Sequence, residues 1–230
     1  MHLPRDVGVV IVAAGRGDRL GGNVPKQYLP IAGIPMLLRA IRPFSAHPAV
    51  RQLVVVLPAS EVAAPPAWLA PYVGDALRVV AGGAERHDSV RHGLAALDPA
   101  CDVVLVHDAA RPLVSRALID AVIAAARGGD GAVPAVPVTD TLKRVTADGG
   151  HVAATVPRDG LVRAQTPQGF PRAMLLAAHA QSAGEGATDD AALAERAGLR
   201  VRLVPGDPRN LKVTTGDDLL VAAALLADGA

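Results

Sequence analysis

Four short runs of mostly β-branched residues, 7–13 (VGVVIVA), 52–57 (QLVVVL), 77–81 (LRVVA) and 103–107 (VVLVH), show almost no alternation of apolar and polar positions. A strand apolar on both sides is covered on both sides, so each run predicts a strand inside a parallel sheet. Between them, 35–46, 84–97 and 115–127 carry helical patterns. Strand and helix in alternation give a right-handed, mostly parallel sheet with helices on both faces, a Rossmann-like α/β fold. Residues 59–72 are read as a further helix, interrupted by Pro65-Pro66.

From 137 to 170 the alternation lapses. Residues 138–145 and 151–156 flank Ala147-Asp148-Gly149-Gly150, which predicts a β-hairpin. A lone two-stranded hairpin is marginal in water, so this arm, at about 137–160, either leans on a second subunit or moves freely at the surface. Beyond it, 171–182 and 188–197 read as helices, 200–204 as a strand and 216–227 as the closing helix. The whole, 1–230, reads as a single domain with one protruding arm, and no internal repeat is visible.

Composition narrows the chemistry. Half of the 230 residues are apolar, enough for a full core without staples. One cysteine, Cys101, excludes an internal disulfide framework and a thiolate zinc cluster, and suits a reducing, cytoplasmic setting. A net charge of +1, with one Trp, two Tyr and two Phe, argues against a nucleic-acid polymer as partner. No apolar run reaches the ~20 residues that span a bilayer, so no membrane partner is expected. The apolar opening follows Arg5 as a signal peptide requires, but Asp6 and the charged glycine loop that follows argue against one.

That loop, AAGRGDRLGGNVPKQYL over 13–29, leaves the first strand at its carboxyl end, where open α/β sheets bind ligands. It begins as G-x-G-x-x but lacks the third glycine of a dinucleotide fingerprint. Gly17 and Gly22 have the P-loop interval, yet Asn23 stands where lysine is needed. What remains is a loop whose glycines let backbone N–H groups approach an anion, with Arg16, Arg19 and Lys26 to neutralise several negative charges. A triphosphate fits that description, and a solvated surface turn is the bland alternative.

Ala13-Ala14-Gly15-x-Gly17-x-Arg19-Leu20 with Pro25-Lys26-Gln27-Tyr28-Leu29 resembles the signature of sugar-nucleotidyltransferase-like enzymes, and its Pro-Lys-Gln-Tyr wording resembles the 2-C-methyl-D-erythritol 4-phosphate cytidylyltransferase family. The likeness continues through Gly82-Gly83-x-Glu85-Arg86-x-Asp88-Ser89-Val90, His107-Asp108-Ala109-Ala110-Arg111-Pro112, Asp140-Thr141-x-Lys143, Thr166-Pro167-Gln168 and Asn210-x-Lys212-Val213-Thr214. It implies a nucleotidyltransferase domain that joins CTP to methylerythritol phosphate and releases pyrophosphate. By the same resemblance Arg19, Lys26 and Lys212 are the catalytic cations. Ala13, Ala14, Gly15, Gly17, Gly82, Gly83, Ser89, Asp108 and Ala109 join them in holding CTP.

Asp108, delivered to the sheet edge by the strand before it, is expected to hold Mg²⁺ beside the phosphates. The resemblance also places it, with Arg111, Thr141, Arg158 and Thr166, around the acceptor. Arg158 suits a phosphate because guanidinium is a planar, two-toothed donor. His107, without a partner cluster, is expected to pack or hydrogen-bond rather than to catalyse. Ala84 stands where some relatives carry an acidic residue. The resemblance further implies a homodimer whose arms cross, so that Thr141 and Arg158 complete the neighbour's site. Cytosine and uracil are not distinguished by the residues themselves. An acceptor such as ribitol 5-phosphate, or a non-catalytic nucleotide-binding regulator, remains an alternative reading. With the chain closing soon after its last helix, no fused second enzyme is expected.

Overall fold

A computed structural model of the protein describes residues 4–15, 24–181 and 187–228. β1 (Val7–Val12) leads to the glycine loop, and the chain resumes through a 3-10 turn, Lys26–Tyr28, into the two-residue strands β2 (Pro30–Ile31) and β3 (Ile34–Pro35). Then come α1 (Met36–Ser45), β4 (Val50–Leu57), β5 (Leu77–Ala81), α2 (Arg86–Ala96), β6 (Val103–Asp108) and α3 (Arg116–Arg127). β7 (Gly131–Pro137) precedes the hairpin β8 (Leu142–Val145) and β9 (Val152–Val156). The chain closes through β10 (Val162–Ala164), β11 (Gln168–Pro171), α4 (Arg172–Gln181), α5 (Asp190–Arg196), β12 (Val201–Pro205) and α6 (Gly216–Ala227).

The main sheet runs β10-β7-β11-β6-β1-β4-β5, with β12 paired to β7. β6, β1, β4 and β5 are parallel neighbours, as is the β7–β12 pair, whereas β10 and β11 run antiparallel to their partners. The mostly parallel α/β sheet expected from the sequence is therefore present. Period-two geometry sorts its side chains. Val7, Val9 and Ile11 of β1 face α1 and α3, meeting Leu37, Ile41, Phe44, Leu118 and Val122. Val10, Val54, Val56, Val104 and Val106 face the other way, onto Val90 and Leu94 of α2, Leu175 of α4 and Ala194 of α5. Gly93 lets α2 approach β1: a Cβ there would stand 2.4 Å from Val10 Cγ1.

One expectation is corrected. Residues 59–72 do not form a helix; only 3-10 turns at Ala59–Glu61 and Ala70–Tyr72 appear. Prolines 58, 65, 66 and 71 withhold the N–H groups that a helical ladder requires. Beyond the arm, within the stretch where the alternation lapses, β10 and β11 return to the main sheet.

The hairpin itself begins at Leu142, and among the described residues β8 and β9 pair only with each other. Val145 and Val152, 58% and 61% exposed, leave its apolar side chains in solvent. Its turn is built from Thr146, whose hydroxyl bonds the Asp148 carboxylate, and from Gly149 at φ +72°. Among the described residues no helix is long and apolar enough to cross a membrane.

Candidate active site

β1 and β6 lie side by side with Val12 opposite Asp108, so both strands end at the same sheet edge. Ala13 continues from β1 with its N–H on Val56 O at 2.9 Å, and Ala109 continues from β6 with its N–H on Val12 O at 3.1 Å. Between these exits opens a crevice of about 280 Å³, and Ala13, Ala14, Gly15, Lys26, Gly83, Ser89, Asp108, Ala109 and Lys212 all line it. Nine residues named from sequence thus meet in one place. Gly17 and Arg19, with Arg16, lie outside the described residues.

Lys26 comes from the 3-10 turn after the loop. Its ammonium donates to Val213 O at 2.8 Å, tying the first segment of the chain to the last. The turn is braced from behind: Tyr28 O–H bonds Glu61, and Trp68 packs edge-on against the Tyr28 ring, with centroids 5.6 Å apart. The segment that fails as a helix therefore backs the lysine.

Lys212 arrives on an irregular segment between β12 and α6. Val213 N–H donates to Ala110 O at 2.8 Å, and Asn210 Nδ2 donates to Thr166 O at 2.8 Å. Lys212 Nζ then donates to Asp108 Oδ2 at 2.8 Å.

Asp108 stands on a buried support. Its backbone N–H donates to Thr166 Oγ1 at 3.0 Å, and the Thr166 hydroxyl lies 3.0 Å from His107 Nδ1. His107 Nε2 faces Arg111 O at 3.0 Å. A carbonyl can only accept, so Nε2 carries the proton and Thr166 donates to Nδ1. Burial lowers the His107 pKa to about 4, so the imidazole is neutral and structural, as expected. Arg111 is buried as well, donating to Asn210 O at 2.7 Å and Ala164 O at 3.3 Å.

A second cation, Arg86, also engages Asp108. Arg86 Nε and Nη2 reach Asp108 Oδ1 at 3.3 and 3.2 Å, while Nη1 reaches Asp190 Oδ2 at 2.8 Å. Burial pushes the Asp108 carboxyl upward, but Arg86 and Lys212 outweigh it and hold the group well below the usual range. Arg86 is itself held protonated: burial works against its charge, and Asp190 and Asp108 overcome that. The motif around Gly82 contains Arg86, but nothing local signals its partner 104 residues away.

Of the two glycines after β5, Gly83 lines the crevice and Gly82 stands behind it. A Cβ on Gly82 would meet Ala14 Cβ at 2.4 Å and Ser89 Oγ at 2.9 Å, so the missing side chain accommodates the protein's own loop. The Ser89 hydroxyl donates to Glu85 O and accepts from Gly83 N–H, both at 3.1 Å. Thr141 and Arg158 are exposed on and beside the arm and line no part of this crevice. Arg158 donates to Thr139 O. A neighbouring cavity of about 280 Å³ is lined by Arg111, Arg163, Gln165 and Asp218, and shares Lys212 with the first.

A carboxylate flanked by cations, beside a glycine loop at the carboxyl edge of a parallel sheet, is the arrangement of an enzyme that transfers nucleotidyl groups. The chain matches the IspD family model, 2-C-methyl-D-erythritol 4-phosphate cytidylyltransferase, over residues 7–228, and it belongs to that family. It is 49% identical to the 2-C-methyl-D-erythritol 4-phosphate cytidylyltransferase of Frankia casuarinae over 96% of this chain and 81% of that one. A bifunctional IspD/IspF enzyme of Rhodospirillum rubrum is 50% identical over 93% of this chain, which spans 55% of that longer protein. The crystal structure of the Thermus thermophilus cytidylyltransferase superposes with a TM-score of 0.79 at 35% identity, covering 95% of this chain and 98% of that one.

Proposed function

We propose that this enzyme transfers CMP from CTP to 2-C-methyl-D-erythritol 4-phosphate, giving 4-diphosphocytidyl-2-C-methyl-D-erythritol and pyrophosphate for isoprenoid precursor synthesis. The observation that carries the reading is the convergence of Lys26, Asp108 and Lys212, from three distant segments, on one crevice. A phosphate monoester has a second pKa of about 6, so the acceptor is already a nucleophilic dianion and needs no strong base. What the protein must supply is alignment of two polyanions and positive charge for the pentacoordinate phosphorus.

Lys26 and Arg19 serve that charge and the departing pyrophosphate. Lys212, between the two cavities, faces both the α-phosphate and the acceptor side. The Ala14-Gly15 backbone and the turn after Gly83 receive the nucleotide, since Ala13 N–H and Gly83 N–H are already committed to Val56 O and Ser89 Oγ.

Mg²⁺ is the cofactor of this reading. Among the described residues no three His, Cys, Asp or Glu side chains gather to hold a metal alone. Magnesium in nucleotide sites needs only one or two carboxylates, with phosphates and water completing the shell, so Asp108 would serve through the lone pair that Arg86 and Lys212 leave on its oxygens. When bound it would neutralise phosphate charge. Arg111 and Thr166 set the floor of the acceptor side, and Thr141 and Arg158 complete the acceptor site of the partner in a homodimer. The exposed apolar side chains of the arm support that assignment. We place the enzyme in the cytoplasm, whose reducing medium suits its single buried thiol, Cys101.

Incubation with CTP, Mg²⁺ and either methylerythritol phosphate or ribitol 5-phosphate tests the reaction by pyrophosphate release and product mass. Release with the second acceptor alone would overturn the assignment. Mixing inactive Arg158→Ala with inactive Lys26→Ala tests the shared site, because subunit exchange restores one intact site per dimer. No recovery after verified exchange refutes sharing.

A further inference from the structure

Asp108 is the one carboxylate that the proposed reaction places beside the phosphates, and its two oxygens are held from different sides. Oδ2 receives Lys212 at 2.8 Å. Oδ1 receives Arg86, whose third nitrogen is committed to Asp190 at 2.8 Å. Asp190 is fully buried at the start of α5. That start is pinned in turn by Gln168 of β11, which donates to Asp189 at 2.7 Å and accepts from Ala191 N–H at 3.0 Å. His179 Nε2 stands 3.5 Å from the other Asp190 oxygen, too far for a well-formed hydrogen bond.

We propose that Arg86 and Asp190 are positioning residues for this site: Asp190 fixes the guanidinium, and the guanidinium fixes the Asp108 carboxylate at the angle where its second oxygen meets Lys212. Arg86 borders the crevice with its guanidinium spent on the two carboxylates, and Asp190 is fully buried behind it. A buried ion pair adds little if stability is its sole purpose, because desolvation of the charges offsets most of the attraction. Here the pair bridges two layers of the fold, α5 to α2 to β6, and ends on the residue that orients Lys212. Arginine is suited to the task and lysine is not, since only a planar fork reaches two carboxylates at once with fixed geometry.

The proposal rests on the reading that Asp108 and Lys212 serve CMP transfer, and its test separates the two. Steady-state kinetics with CTP, Mg²⁺ and methylerythritol phosphate are run on the parent, Asp190→Asn, Arg86→Gln, Arg86→Lys and the Asp190→Asn/Arg86→Gln double variant. Crystal structures of the parent and the double variant accompany them. Displacement of catalytic groups by about 1 Å costs up to about a hundredfold. We expect kcat to fall about ten- to a hundredfold in Asp190→Asn and Arg86→Gln, with the KM for CTP within about threefold. Arg86→Lys should not restore kcat, and the double variant should be no slower than Arg86→Gln.

Parental kcat in Asp190→Asn, or full rescue by Arg86→Lys, overturns the proposal. Should Asp190→Asn fail to fold with Arg86 stranded, the double variant, which lacks both charges, carries the same comparison. A parent that releases no pyrophosphate refutes the proposed reaction instead. The crystal structures then decide positioning alone: Asp108 turned from Lys212 in the double variant supports it, and an unmoved Asp108 overturns it.

Discussion

Replacing Thr166 by valine keeps the shape of the side chain and removes only its hydroxyl. That hydroxyl is buried and serves two partners, accepting from Asp108 N–H and donating to His107 Nδ1, each at 3.0 Å. The imidazole cannot adapt, because its other nitrogen is committed to Arg111 O and burial keeps the ring neutral. Each buried polar group left without a partner costs about 1–3 kcal/mol. Asp108 N–H is only partly buried, which brings the expected sum toward the lower end, about 3 kcal/mol. For a domain of this size that is a melting point lowered by roughly 6–12 °C. Thr166→Ser, which keeps the oxygen, should lose much less.

Differential scanning calorimetry and urea unfolding measure the loss, and steady-state kinetics at 25 °C measure the acceptor KM. A Thr166→Val protein melting within about 2 °C of the parent refutes the stability argument. Should its acceptor KM rise at the same time, the hydroxyl belongs to the acceptor rather than to His107.

Lys26→Ala and Lys212→Ala should each lower turnover by about a hundred- to a thousandfold at saturating substrates, the usual effect of removing one preorganised donor. Near-parental kcat in either would remove that lysine from the mechanism. His107 is neutral in the fold down to about pH 4 and titrates near 6.5 when unfolded, so the unfolded chain takes up the extra proton as pH falls through that window. Stability should therefore drop by about 2–3 kcal/mol between pH 7.5 and 4.5, read as a lower urea midpoint, and a midpoint independent of pH contradicts this. Gly93→Ala should destabilise by about 1–3 kcal/mol through overpacking against Val10, although alanine is the better helix former. Increased stability in urea would show that α2 can shift to make room.

The strands most legible in sequence, β1, β4, β5 and β6, are those whose β-branched residues are covered on both faces, because burial removes the need for polar alternation. β7, GAVPAVP, hides behind two prolines and small residues, yet it is flanked by β10 and β11 on one edge and β12 on the other. β11 has four residues and follows Pro167, too short to show a period. At the site, Lys26, Asp108 and Lys212 stand in recognisable local motifs. Arg86 and Asp190 acquire meaning only by contact, and no local pattern reports a pair 104 positions apart. Ser89 and Gly82 are legible as site residues but not in their detailed use, since the fit of a loop to itself is a tertiary property.

The lysine near the start of the chain rests on a carbonyl 187 residues later. Every earlier strand and helix can be in place while that carbonyl has yet to leave the ribosome, so competence arrives last in biosynthesis. A nascent polypeptide stalled before Val213 would be folded in most of its body and inert.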